Sequence, residues 1–125
     1  MSIKMKELVN EIKNEDYPAK LDTYIGKKVD GKTVDGWKAE HYPRLGVVYW
    51  SNQKRGKDSW TITASAGFDY PDPPIQFIFE ISDENDNFAT KNYPYKPSSF
   101  EKDFKLYMKY LKNIIKEYNK RMKLA

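Results

Sequence analysis

The chain contains no cysteine, a single histidine and only three arginines, and its six glycines never stand together. Without cysteine there are no disulfides, no thiolate nucleophile and no thiolate zinc site. With His41 as the lone imidazole, most of the remaining metal chemistry is removed too, and no metal or cofactor is expected. Scattered glycines exclude a glycine-rich loop cradling phosphates. No apolar run approaches the roughly 20 residues of a membrane span. The first fifteen residues mix charged with apolar side chains, unlike the apolar stretch of a secretory leader, so a cytoplasmic protein is expected. At 125 residues the chain has room for one domain, 1–125, and not for two.

Lysine and arginine are also missing from one long segment, and this divides the chain by charge. Residues 1–57 mix 12 basic with 8 acidic groups. Residues 58–90 have no basic residue and carry Asp58, Asp69, Asp72, Glu80, Asp83, Glu84 and Asp86. Residues 91–125 hold 10 basic groups against Glu101, Asp103 and Glu117. The net charge of +4 therefore conceals an acidic zone and a strongly basic one. Summed like charges set up a surface potential that steers partners, so the segregation speaks to association more than to fold. Mutual neutralisation or plain solvation of the two zones is the competing explanation.

What is present points to an α+β fold. Met5, Leu8, Val9 and Ile12 recur at helical spacing, which predicts an amphipathic helix over 3–16 ended by Pro18. Residues 19–43 carry two turn pairs, Asp30-Gly31 and Asp35-Gly36, and fit short edge strands or a long loop equally well. Strands are expected over 45–50, over 60–68 and over 75–81, where apolar and polar residues alternate, with a fourth at 88–91. Ser98 and Glu101 have the spacing of a capping box, after which a long helix runs from Phe100. Its inward stripe is Phe104, Tyr107, Leu111, Ile114, Ile115, Tyr118 and Met122. The expected architecture is a three- to four-stranded antiparallel sheet with an N-terminal helix and a long C-terminal helix on one face. The expected core includes Leu8, Ile12, Trp60, Ile62, Phe77, Phe79, Leu111 and Ile115.

Chemistry-bearing constellations are few. His41 in Glu40-His41-Tyr42-Pro43 stands next to a carboxylate, yet no nucleophile or second acid-base group frames it, so a noncatalytic protein is expected. Asp83-Glu84-Asn85-Asp86-Asn87 is rich in oxygen but lacks the glycine and distal glutamate of a calcium loop, and it fits a hairpin turn. Lys102, Lys105, Lys109, Lys112, Lys116, Lys120 and Lys123 fall three or four residues apart and must share one side of the last helix. Such a row can neutralise phosphates, or it is simply the wet face that an amphipathic helix needs. The shortage of arginine, the usual reader of guanine edges, argues against sequence-specific DNA recognition. The acidic zone has the opposite use: Asp69, Asp72, Glu80, Asp83, Glu84 and Asp86 can imitate phosphates and enter a cationic groove, or can merely serve in turns.

Leu8, Glu11-Ile12-Lys13-Asn14, Asp16-Tyr17 and Lys20-Leu21 resemble the opening of a small phage-encoded type II-A anti-CRISPR family that inhibits Cas9. The resemblance implies a first helix leading into an antiparallel sheet with helices after it, and a function as an inhibitor in the cytoplasm of a host bacterium. Family inhibition works by mimicry of the protospacer-adjacent DNA, by a strongly acidic protein. This chain is net basic, so only the 58–90 zone could act as the mimic, and the matched segment carries none of the inhibitory contacts. Two functions follow as expectations. The first is a noncatalytic phage or mobile-element inhibitor that binds a nucleic-acid-handling effector, such as Cas9 with guide RNA, through the acidic residues. The alternative is a nonspecific nucleic-acid binder using Lys105, Lys109, Lys112, Lys116 and Lys120, with Trp50 or Tyr49 stacking on bases. A small nuclease or toxin built on His41, Tyr42 and Arg44 is a third, weaker reading.

Overall fold

The computed structural model describes residues 17–55, 58–67, 75–85 and 87–124. The expected helix over 3–16, with Leu8 and Ile12, lies outside them. The first described element is a helix over 17–29, here α1, which includes Pro18. Residues 19–29, expected as part of short edge strands or a long loop, are thus helical, and the expected end of the 3–16 helix before Pro18 lies outside the described residues. The fixed φ of proline suits a helix, and Leu21, Ile25 and Val29, four residues apart, supply a fully buried stripe. The helix ends at Asp30-Gly31: Gly31 takes a left-handed φ of 77°, and its N–H leaves the helix to bond Ala39 O at 2.9 Å.

Six strands follow in strict chain order as one antiparallel meander: β1 Thr33–Val34, β2 Trp37–Tyr42, β3 Val47–Ser51, β4 Trp60–Ser65, β5 Gln76–Asp83 and β6 Phe88–Pro94. The three- to four-strand expectation is thus too low. The additional strands, β1 and β2, form a hairpin whose two loop residues, Asp35 and Gly36, both have positive φ, at 47° and 88°. That is the turn the Asp-Gly pair favours, since its twist matches the strands. Trp37 and Ala39 are buried on one side of β2 while Lys38 and Glu40 are exposed on the other.

The long helix, α2, spans Phe100–Leu124. Its cap is Ser99 rather than Ser98: Ser99 Oγ accepts the Lys102 N–H at 3.2 Å. Asp103, not Glu101, reaches back, taking the Ser98 N–H at 3.0 Å and the Tyr17 hydroxyl of α1. Two adjacent serines left the sequence pattern ambiguous, and burial of Asp103 decides between them.

Both helices cover the same face of the sheet, and the core lies between the layers. Ile62 and Ala64 of β4, Phe77, Phe79 and Ile81 of β5, and Tyr107, Leu111, Ile114, Ile115 and Tyr118 of α2 are all buried. Phe104 and Met122 of the expected stripe, and Trp60, are only partly buried against this cluster. Polar groups that enter the core find partners: Trp50 Nε1–H donates to the Tyr107 hydroxyl at 3.0 Å, and Trp37 Nε1–H to Asn119 Oδ1 at 2.8 Å. The other face of the sheet has no helix among the described residues. Cross-strand register places Glu40, Tyr49, Thr63, Glu80 and Thr90 in one row across it.

Candidate nucleic-acid interface

Because α2 turns Tyr107, Leu111, Ile114 and Tyr118 inward, the positions three and four residues apart on its far side must meet water. Lys102, Lys105, Lys109, Lys112, Lys116 and Lys120 are all exposed there. At 1.5 Å per residue the row from Lys102 to Lys120 extends about 27 Å. The acids of the same zone are mostly turned away from it. Asp103 is buried at the start of the helix. Glu117 lies off the stripe and takes Lys91 Nζ at 2.6 Å and Arg121 at 2.8 Å. These hydrogen bonds hold the Glu117 carboxyl below, and Lys91 above, their ordinary ranges. Glu101 alone among these acids pairs with a stripe lysine, Lys105, at 3.7 Å between two well-exposed side chains. Such a pair is weak.

The C-terminal half of the stripe opens into a hollow of about 920 Å³ lined by Lys116 and Lys120 together with Lys54 from the β3–β4 connection, with Asp35, Asn52, Asn119 and Trp37 also in the lining. Lys54 was not legible as part of this surface, because only the folded chain brings residue 54 beside residues 116 and 120. Asn52 holds its loop in place: its Oδ1 accepts the N–H groups of Lys54 and Trp60, and its Nδ2 donates to Asp58 O at 2.6 Å. A lysine on a braced loop beside two helical lysines outweighs the single Asp35 carboxylate and leaves the hollow net cationic, which suits oxyanions.

The acidic residues are not gathered in the same way. Asp69, Asp72 and Asp86 lie outside the described residues. Glu80 is exposed on the helix-free face, between Thr63 and Thr90. Asp83 sits at the end of β5, where its carboxylate accepts Asn85 N–H, Asn87 N–H and Asn87 Nδ2 at 2.8–2.9 Å. Those bonds, the Asn87 side chain first, hold it below the ordinary carboxylate range. The group therefore builds the β5–β6 turn, as its sequence suggested. Glu84 beside it is exposed.

The residues of the weaker readings are separated by the pleat of β2. Glu40 and Tyr42 project to the helix-free face, where the Tyr42 hydroxyl donates to Glu40 at 2.7 Å. His41 points the opposite way, against Gly26 of α1, and its Nε2 is buried with no hydrogen-bond partner. Among the described residues no carboxylate is bonded to the imidazole; the Asp30 carboxylate takes the His41 backbone N–H instead. Base stacking also loses its support: Trp50 is fully buried and Tyr49 lies on the layer opposite the lysines. Among the described residues no group of three or more His, Asp or Glu is arranged to hold a metal ion, and no helix is long and apolar enough to cross a membrane. Comparison with protein-family models, curated proteins and solved structures finds no match for this chain.

Proposed function

We propose that this chain is a small noncatalytic binding domain that docks on the phosphates of a nucleic acid through the lysine face of α2, extended by Lys54. The nucleic acid is either free or carried by a nucleic-acid-handling effector of the Cas9 and guide RNA kind. The observation that carries this reading is the unbroken row of six exposed lysines, from which Asp103 and Glu117 are turned away. With few arginines and no exposed aromatic on that face, recognition rests on backbone charge and is insensitive to sequence.

Fluorescence anisotropy with labelled duplex DNA and single-stranded RNA, over a range of salt, tests it. If about five lysines meet phosphates, log K against log salt falls with a slope of about −4 to −5 on duplex DNA. Replacing Lys109, Lys112 and Lys116 by Glu removes the binding. Tight binding that ignores salt, or that survives the triple reversal, rejects the reading.

The second reading is the phage-type inhibitor, which the N-terminal resemblance suggests and which uses carboxylates on a cationic protein groove. What favours it is the placement of Glu80 and Glu84 in the open, away from the lysine row, so that they remain available to a second partner. In that case Glu80→Lys with Glu84→Lys abolishes capture of the effector, while the lysine variant retains it.

A further inference from the structure

Neither charged surface includes the hollow between α1, the β2–β3 turn and the end of β4. It measures about 320 Å³ and is lined by Asp22 and Thr23 of the helix, Arg44 and Gly46 of the turn, and Ser65 with Gly67 beyond β4. Asp22 is only 7% exposed. Its Oδ1 accepts the Ala66 N–H at 2.7 Å, and the Ala66 carbonyl in turn accepts the Tyr95 hydroxyl at 2.6 Å, so the backbone on this side of the hollow is fixed. Its Oδ2 has no partner among the described residues. Gly46 stands next to that oxygen, where even an added Cβ would remain 3.8 Å away, so the approach stays open.

Among the described residues His41 Nε2 is the one side-chain atom both shut off from water and unpaired, so Asp22 Oδ2 is not sealed in the interior but remains an accessible acceptor at the hollow. Here burial pushes the Asp22 carboxyl up to about 8, with the single Ala66 hydrogen bond opposing, so without a cation beside it the group is largely protonated near neutrality, and a bound ammonium favours the carboxylate and displaces that proton. Among the described residues the ionisable groups around it include Arg44 in the lining and the Tyr95 and Tyr107 phenols, which burial first, and the Asp22 charge in addition, raise further above neutrality.

We propose that this hollow binds a small zwitterionic amine, an α-amino acid in its simplest form, with the ammonium against Asp22 and the carboxylate on Arg44. An ammonium carries three N–H donors. Asp22 Oδ2 is one acceptor, and Thr23 and Ser65 bring further oxygens to the same lining; the Thr23 hydroxyl donates to Ala19 O at 3.2 Å and keeps its lone pairs for a ligand. A bare cation is disfavoured by Arg44, whose planar guanidinium suits a carboxylate as a two-pronged partner. A phosphate backbone is disfavoured by Asp22, so the site is independent of the nucleic-acid reading.

Titration calorimetry of the intact chain with glycine, alanine, serine, lysine and glutamate, each also in N-acetyl and carboxamide form, tests the site. At least one free amino acid binds, and acetylating its amine or amidating its carboxylate weakens it by about tenfold or more, since each removes one charge-assisted contact. Asp22→Asn keeps an acceptor for the Ala66 N–H and weakens the same ligand to a similar extent. Arg44→Gln, on an exposed turn that does not endanger the fold, removes the difference between free acid and carboxamide. The proposal is overturned by absence of heat for every amino acid up to about 10 mM, near the floor of specific affinity, by indifference to acetylation, or by parental binding in the Arg44 variant.

Discussion

Gly26 of α1 lies directly against the His41 ring of β2. A Cβ at residue 26 would lie 2.1 Å from His41 Cδ2, well inside any tolerable separation. The imidazole is held between β2 and α1 and its backbone N–H is bonded to Asp30 Oδ1 at 3.0 Å, so it has little freedom to withdraw. Gly26→Ala is therefore expected to destabilise the fold by about 1–3 kcal/mol despite alanine's better helix propensity. Chemical denaturation of Gly26→Ala with and without His41→Ala checks the cause, since removing the ring relieves the clash and the two changes are then strongly non-additive. His41→Ala alone leaves nucleic-acid binding intact. Asp22 offers a second expectation with a defined sign. Its folded carboxyl is raised to about 8, above the ordinary carboxylate range, so the protonated form is the one that the fold favours. Stability from this group is full below the unfolded value and is lost as pH rises from about 4 to about 8. Asp22→Asn stays neutral throughout. In urea melts at pH 4, 6 and 8 the variant gains on the parent with pH, by more than about 1 kcal/mol at the upper end. A constant difference across the range shows that Asp22 does not titrate there.

At the level of elements, the sheet's centre rests on aromatic pairs between layers. Phe77 of β5 stacks on Tyr95 with centroids 3.9 Å apart and meets the edge of Tyr107 from α2 at 5.9 Å. Phe77→Ala opens a cavity between β5, α2 and the β6–α2 connection and is expected to cost about 3–5 kcal/mol, read as a lowered urea midpoint. The outer strand β6 is protected as an edge: Lys91 points inward to Glu117 and Pro94 ends the strand, both of which discourage pairing with another chain. Strands β4 and β5 and helix α2 were legible because one period governs each over many residues: Ile62 and Ala64, Phe77, Phe79 and Ile81, then Tyr107, Leu111 and Tyr118. The lysine row was legible for the same reason. Helix α1 was not, since Pro18 and Asp30-Gly31 read as breakers and the three apolar residues between them stand only at every fourth position. Nor was β2, whose Trp37 and Ala39 alternation lies between turn residues. Lys54 in the cationic hollow and Arg44 in the same hollow as Asp22 depend on contacts between distant segments, which no local pattern encodes. Asp83 shows the converse: the turn was legible, but its three hydrogen bonds mean that reversing it to lysine would cost stability, so Glu80 and Glu84 are the cleaner substitutions on the acidic side.

For the molecule as a whole, the arrangement of charge matters more than its sum. The basic segment near the C-terminus sits on the helical layer with its lysines outward, and Glu40 and Glu80 occupy the opposite face of the sheet. Among the described residues, apart from Lys91 and Glu117, which pair inside the basic segment itself, the layers are separated by the core rather than neutralised against each other. A polyanion approaching the helical side meets a positive row, while approach to the helix-free face meets mixed charge, so orientation is selected before contact. This can be separated from a net-charge effect. Lys109→Glu with Lys112→Glu brings the formal charge from +4 to zero. Lys32→Glu with Lys38→Glu gives the same total but acts near β1 and on the helix-free face, leaving the row complete. All four lysines are exposed, so neither pair should shift stability by more than about 1 kcal/mol in total. If the row is the interface, the helix variant loses about tenfold or more in affinity for duplex DNA at moderate salt and its salt slope flattens by about two, while the sheet variant keeps the parental slope and most of its affinity. Equal losses in the two variants would mean that the nucleic acid responds to overall charge, and the lysine row would then be no more than the wetted side of the helix.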